Sequence, residues 1–145
     1  MKPFISMRLS VDQQLDYDNL IKFIELFKRN PGSCDEIWFS TYYGYPKREK
    51  HAHMAGFLLD CAKLARENDI RVSLQISNTI GHGSLHGTTD ISGFEWDSFV
   101  GYDGTESVKC GCPRDNKFLK YIKDTTGYYA KIRPDWVWID DDVRM

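Results

Sequence analysis

The chain has no excess of charge of either sign, no long apolar run and no dense set of cysteines. Its 145 residues carry 19 Lys and Arg against 21 Asp and Glu, a net charge of −2. That balance leaves no electrostatic footprint for nucleic acid or an anionic membrane surface, so neither is expected as a partner. No apolar stretch approaches the roughly 20 residues that a membrane-spanning helix needs. Met1-Lys2-Pro3-Phe4 leads straight into a strand-like segment, without the apolar core of a signal peptide. A cytoplasmic protein is the expectation. The four cysteines, Cys34, Cys61, Cys110 and Cys112, are not spaced as a disulfide framework, which suits a reducing compartment.

Several chemical signatures are missing as well. Gly81-His82-Gly83 lacks the Lys-Ser/Thr and the G-x-G-x-x-G context of a phosphate loop. No serine nucleophile elbow is present. His51-x-His53, His82-x₃-His86 and Cys110-x-Cys112 do not have the spacing of a zinc signature. They are read as independent loop histidines and free thiols, with a zinc site as the alternative. No metal and no cofactor is expected.

What the chain does have is an ordinary globular balance, 41% hydrophobic and 28% charged, with an aromatic share of 14% that is high. Its length suits a single domain over 1–145. Aromatic side chains fill cores, and they also stack on the apolar faces of sugar rings. Phe4 to Leu9, Glu36 to Thr41 and Arg71 to Ser77 read as strands. Between and after them lie amphipathic helices. The first follows Asp16 or Asp18 as cap, with Leu20, Phe23, Ile24 and Phe27 on one face. The second runs from about His51 to Asn68 with Met54, Phe57, Leu58, Cys61 and Leu64 on one face. The third runs from Asp115 to about Arg133, and a Trp-rich strand follows Pro134.

The order β-α-β-α-β-α-β implies an α/β fold with parallel strands and right-handed crossovers. It fits an open doubly wound sheet or the first half of a (β/α)₈ TIM barrel. Polar residues gather at the C-terminal strand ends, while the helix-to-strand turns are short and bland. That asymmetry matches the catalytic and stability faces of a barrel. The connection over 78–114 is long and Gly-rich, and is read as a substrate-covering loop because it carries Phe94, Trp96 and Tyr102. Its other reading is a poorly packed insertion.

Towards its end the sequence has Trp136-Val137-Trp138-Ile139-Asp140-Asp141-Asp142, read as a buried strand that meets three carboxylates at its mouth. Adjacent acids repel one another and gain nothing from packing, so such a cluster points to binding or catalysis. Strand alternation places Trp136, Trp138, Asp140 and Asp142 on one face, and Val137, Ile139 and Asp141 on the other. Asp140 and Asp142 are the candidate catalytic carboxylates. Arg8, Tyr43, Asn78, His82 and Asp141 are the candidate substrate-binding residues. A solvated acidic turn is the competing reading for the acids, and an ion pair with one of them for Arg8. Tyr42, Tyr43 and Tyr45 suggest a sugar-stacking wall or a Tyr-rich surface loop.

Cys112-Pro113-Arg114-Asp115-Asn116-Lys117-Phe118-Leu119-Lys120-Tyr121, followed by Trp138-Ile139-Asp140-Asp141-Asp142, resembles glycoside hydrolase barrels near their fourth strand. In family-42-type β-galactosidases a Cys-Pro-Asn-type segment leads to a strand ending in an Asn-Glu pair, whose Glu is the acid/base. That pair falls on Asp141 and Asp142, with Asp in place of both residues. In barrels of the α-glucosidase and α-galactosidase type, a Trp-Ile-Asp-like strand carries the nucleophile, which falls on Asp140. The resemblance covers roughly the last 35 residues and implies a carbohydrate substrate and hydrolysis of O-glycosidic bonds. Such hydrolysis needs two carboxylates, and a whole barrel of this class needs about 250 residues. The chain is therefore expected to be the N-terminal half of a barrel, inactive alone, and partnered by a C-terminal half-barrel or a second copy. The alternative is an open α/β module that binds a small ligand or carbohydrate without catalysis.

Overall fold

The computed structural model describes residues 3–9, 16–42, 44–76 and 94–139. Among them the strands are β1 (Ser6–Leu9), β2 (Glu36–Ser40), β3 (Arg71–Ile76), β4 (Ser98–Val100), β5 (Glu106–Gly111) and β6 (Val137–Ile139). The helices are α1 (Tyr17–Arg29), α2 (Arg48–Arg66) and α3 (Asn116–Ala130). No described helix is long and apolar enough to cross a membrane.

Local chemistry sets the helix ends. Asp16 caps α1 by accepting from the Asn19 amide at 2.6 Å, and Lys28 and Arg29 stand at the negative end of the helix dipole. Pro31 and Gly32, at φ 85°, then turn the chain into β2. Asp115 caps α3 through the amides of Lys117 and Phe118, and its second oxygen accepts from the Asp97 amide at 2.8 Å. One carboxylate thus ties the α3 start to the segment that enters β4. These hydrogen bonds, the Asp97 amide first, hold the Asp115 carboxyl below its usual range. Arg66 of α2 donates to the Ile132 and Arg133 carbonyls just beyond α3, at 3.0 and 2.6 Å.

The four long-range strands pair in parallel in the order β1-β2-β3-β6. Met7, Ile37 and Val72 and, one row on, Leu9, Phe39 and Leu74 point to one face. Buried residues from all three helices join that face in a single cluster: Leu20, Ile24 and Phe27 of α1, Met54, Leu58 and Cys61 of α2, and Tyr129 of α3. Ala55, Ala62 and Ala65 let α2 lie close to the sheet. Sequential order with every helix on one face is singly wound, so the doubly wound alternative does not hold for the described strands.

Two expectations are corrected. The connection over 78–114 is not one loop, because β4 and β5 form an antiparallel hairpin within it. Short strands broken by Tyr102-Asp103-Gly104 give little periodicity, and Gly104 at φ 85° makes the turn. Residues 77–93 lie outside the described part. Gly111 at the end of β5 has the Phe118 ring where a Cβ would sit, 2.5 Å away, which accounts for the glycine between Cys110 and Cys112.

The second correction concerns β6, which is an edge strand with both faces bare. Trp136 is 59% exposed, Val137 52%, Trp138 53% and Ile139 68%. Among the described residues β6 pairs only with β3, through Leu74↔Val137 and Ile76↔Ile139. An exposed apolar edge of this kind is a template for further pairing. We expect light scattering on the chain to report species larger than a monomer, and Ile139→Lys to shift them towards the monomer. A monodisperse monomer for the unaltered chain would remove the argument.

Candidate functional site

The sheet face opposite the helices is built from the alternate strand positions. Adjacent rows place Ser6 beside Glu36, Arg8 beside Trp38 and Ser73, and Ser40 beside Gln75 and Trp138. Trp38 adjoins Ser73 and Trp138 adjoins Gln75, and the two indoles lie 6.1 Å apart at 41°. They therefore meet over β3, whose Ser73 and Gln75 are buried. The buried polar groups are satisfied along the same face. Ser40 Oγ donates to Gln75 Oε1 at 2.6 Å. The Ser6 and Ser73 hydroxyls both donate to the Glu36 carboxylate, which is 1% exposed. Arg8 is exposed, and its guanidinium carbon sits 5.6 Å from the Trp38 ring centroid. The face therefore carries two tilted indoles, with the Arg8 guanidinium over the Trp38 ring, above a row of paired hydroxyl, amide and carboxylate groups.

Of the expected site residues, Arg8 is placed on this face at the end of β1. Tyr43, Asn78, His82, Asp140, Asp141 and Asp142 lie outside the described residues. Trp38, not among the expected site residues, joins Arg8 and Trp138. Its signal was available: alternation from the register of Arg8 puts it on the polar face of β2. Tyr45 forms neither a sugar wall nor an exposed loop. It is 1% exposed at the centre of a second cluster with Trp96, Phe118 and Tyr121. Its ring meets theirs edge-on at 5.4 to 5.9 Å, and Phe94 stacks on Trp96 at 4.6 Å.

No family model, curated protein or solved structure matches this chain. Its chemistry is read from its own geometry.

His51 is not a loop residue. It lies in α2 with 0% exposure. Tyr129 Oη stands 2.9 Å from Nδ1 and Tyr121 Oη 2.8 Å from Nε2. Tyr121 donates its hydroxyl proton to the Pro46 carbonyl at 2.7 Å, so it accepts from Nε2–H, and Tyr129 donates to Nδ1. This assignment requires a neutral imidazole. Burial pushes the His51 pKa from its ordinary 6.5 down to about 4 and raises that of Tyr129. The histidine is a polar pin between α2 and α3. Close by, a cleft of about 710 Å³ is lined by Arg48, Lys117, Lys120, Phe94 and Trp96. Asp124 accepts from Lys120 at 2.8 Å and from Arg48 at 3.1 Å, and these hydrogen bonds hold its carboxyl below its usual range.

Cys61 and Cys34 are poor nucleophiles. Burial pushes Cys61 up to about 12 and raises Cys34. Among the described residues no group of three or more His, Cys, Asp or Glu is placed to hold a metal ion.

The His51 assignment has a signed consequence. An imidazole whose folded pKa lies below its unfolded value contributes fully above pH 6.5, and the contribution is lost as pH falls towards about 4. The unfolded chain binds the proton in that window and the folded chain does not. Denaturant titrations should show about 3 kcal/mol less stability at pH 4 than at pH 7 from this residue. His51→Gln should lack that part of the slope. Parallel curves for the two proteins would contradict a buried neutral His51.

Proposed function

We propose that the chain is part of a carbohydrate-active protein of the glycoside hydrolase kind. In this reading the sugar lies on the sheet face opposite the helices, towards the C-terminal strand ends. The observation that carries it is the convergence of Trp38, Trp138 and Arg8 on that face, over Ser40 and Gln75. Indole rings cover the apolar faces of pyranose rings, while the exposed Arg8 guanidinium has donors for the groups at the sugar's edge. The singly wound sheet, with chemistry expected beyond the C-terminal ends of parallel strands, supports a (β/α)₈ half-barrel. Bare β6, with Val137 and Ile139 uncovered on the helix side, is where a further helix and strand would join.

The hydrolytic part rests on Asp140 and Asp142, which follow directly on β6 in sequence. One would act as nucleophile or acid/base, with its partner carboxylate supplied by a later strand. Tyr43, Asn78, His82 and Asp141 belong to the same reading as sugar-binding groups.

Tryptophan fluorescence provides the test, because two of the four tryptophans form the platform. Titration of the chain with oligosaccharides of gluco, galacto and manno configuration should give saturable changes. Trp38→Ala should weaken binding by about tenfold, the loss of one stacking contact of about 1.4 kcal/mol. Circular dichroism checks that the variant keeps its fold. No saturable response to any sugar would sink the carbohydrate reading, and ordinary glycosidase turnover by the 145-residue chain would sink the half-barrel part.

A further inference from the structure

We infer that the sugar held on the Trp38 and Trp138 platform is acidic, and that Arg8 recognises its carboxylate. This rests on the carbohydrate reading above and goes further by naming the substrate class. Several other arginines have their N–H groups engaged. Arg29 lies 3.7 Å from Glu25, Arg48 pairs with Asp124 at 3.1 Å, and Arg66 donates to the Ile132 and Arg133 carbonyls. Arg8 differs from them. Its guanidinium rests against the Trp38 ring at 5.6 Å, and among the described residues no carboxylate lies within ion-pair distance of it.

An aromatic neighbour restricts the guanidinium without using its N–H donors. Those donors form a planar fork that matches a carboxylate in two parallel hydrogen bonds. Arg8 also stands in the same cross-strand row as Trp38, at the C-terminal end of β1. A pyranose stacked over the two indoles would carry its ring substituents in the plane of its edge. On the β1 side the group met there is a guanidinium. A neutral hydroxymethyl group would use one donor of the fork, whereas a uronic acid carboxylate uses two and neutralises the charge. Glu36, the one charged residue among the described ones buried on this face, lies one row deeper, where its carboxylate accepts from the Ser6 and Ser73 hydroxyls and forms no ion pair with Arg8.

The test compares oligouronates of galacto, gluco and manno configuration with their methyl esters, which keep the ring and remove the charge. At least one free acid should bind ten or more times tighter than its ester, with an affinity that falls as salt rises. Arg8→Met should bring acid and ester to within about twofold of one another, while Arg8→Lys keeps part of the difference. Arg8 is exposed, so both variants should fold, which circular dichroism checks. Trp38→Ala should weaken acid and ester alike. Equal binding of acid and ester by the unaltered chain would overturn the acidic-sugar inference and leave the carbohydrate reading standing. Binding of neither would overturn both. Equal losses of acid and ester in Arg8→Met would make Arg8 a positioning residue and overturn its assigned role.

Discussion

The structure depends on one constraint: each helix returns the chain to the next parallel strand by a crossover of the same hand. With the strands in sequential order, every helix is delivered to the same face of the sheet. Leu20, Ile24 and Phe27, then Leu58 and Cys61, then Tyr129 all converge on Ile37, Phe39, Val72 and Leu74. That convergence makes the apolar core. Among the described residues it also leaves the other face without a helix, which is where Trp38, Trp138 and Arg8 gather. The core and the candidate site are two faces of one arrangement, separated by the thickness of a strand.

Polar contacts make the arrangement specific. Burying a polar group without a partner costs more than a hydrogen bond returns, so each satisfied one selects a geometry. Glu36 fixes β2 against β1 and β3 through the Ser6 and Ser73 hydroxyls. His51 fixes α2 against α3 through Tyr121 and Tyr129. Asp135 accepts from the Val72 amide at 2.9 Å while its own amide donates to the Val72 carbonyl at 2.7 Å, which sets β6 on β3. Apolar packing alone would tolerate a slip of one element along another, and these pairs would not.

β6 stands apart from this pattern of satisfied groups. Its pairing with β3 is specific, yet its outer edge and both its faces carry apolar surface exposed to water. In the proposed half-barrel, a strand and helix on the far side would cover Val137 and Ile139 and turn the face opposite the helices into the wall of an enclosed space. The same step would place Trp138 inside, next to the platform it already forms with Trp38. The proposed site and the bare edge are therefore linked: what completes the sheet would also exclude water from the sugar.

Much of the fold was legible from the chain. The alternation in Glu36-Ile37-Trp38-Phe39-Ser40 marks a strand with one apolar and one polar face, and the spacing of Leu20, Ile24 and Phe27 marks a helix stripe. Asp16 and Asp115 announce helix starts by chemistry that acts within four residues. Arg8 was legible as a polar residue at a strand end. Contacts between distant residues were not. His51 looks like half of an exposed H-x-H pair until Tyr121 and Tyr129 arrive from a helix seventy residues away. Tyr45 looks like an exposed loop residue until Trp96 and Phe118 enclose it. The Trp-rich strand reads as buried because sequence reports apolarity and not whether a neighbour is present. By itself the sequence determined the three helices, the strands of the parallel sheet and the face their residues take, because backbone geometry and capping are local. Only the tertiary structure decided which groups are buried, paired or left bare, because burial depends on what other segments bring to the same place.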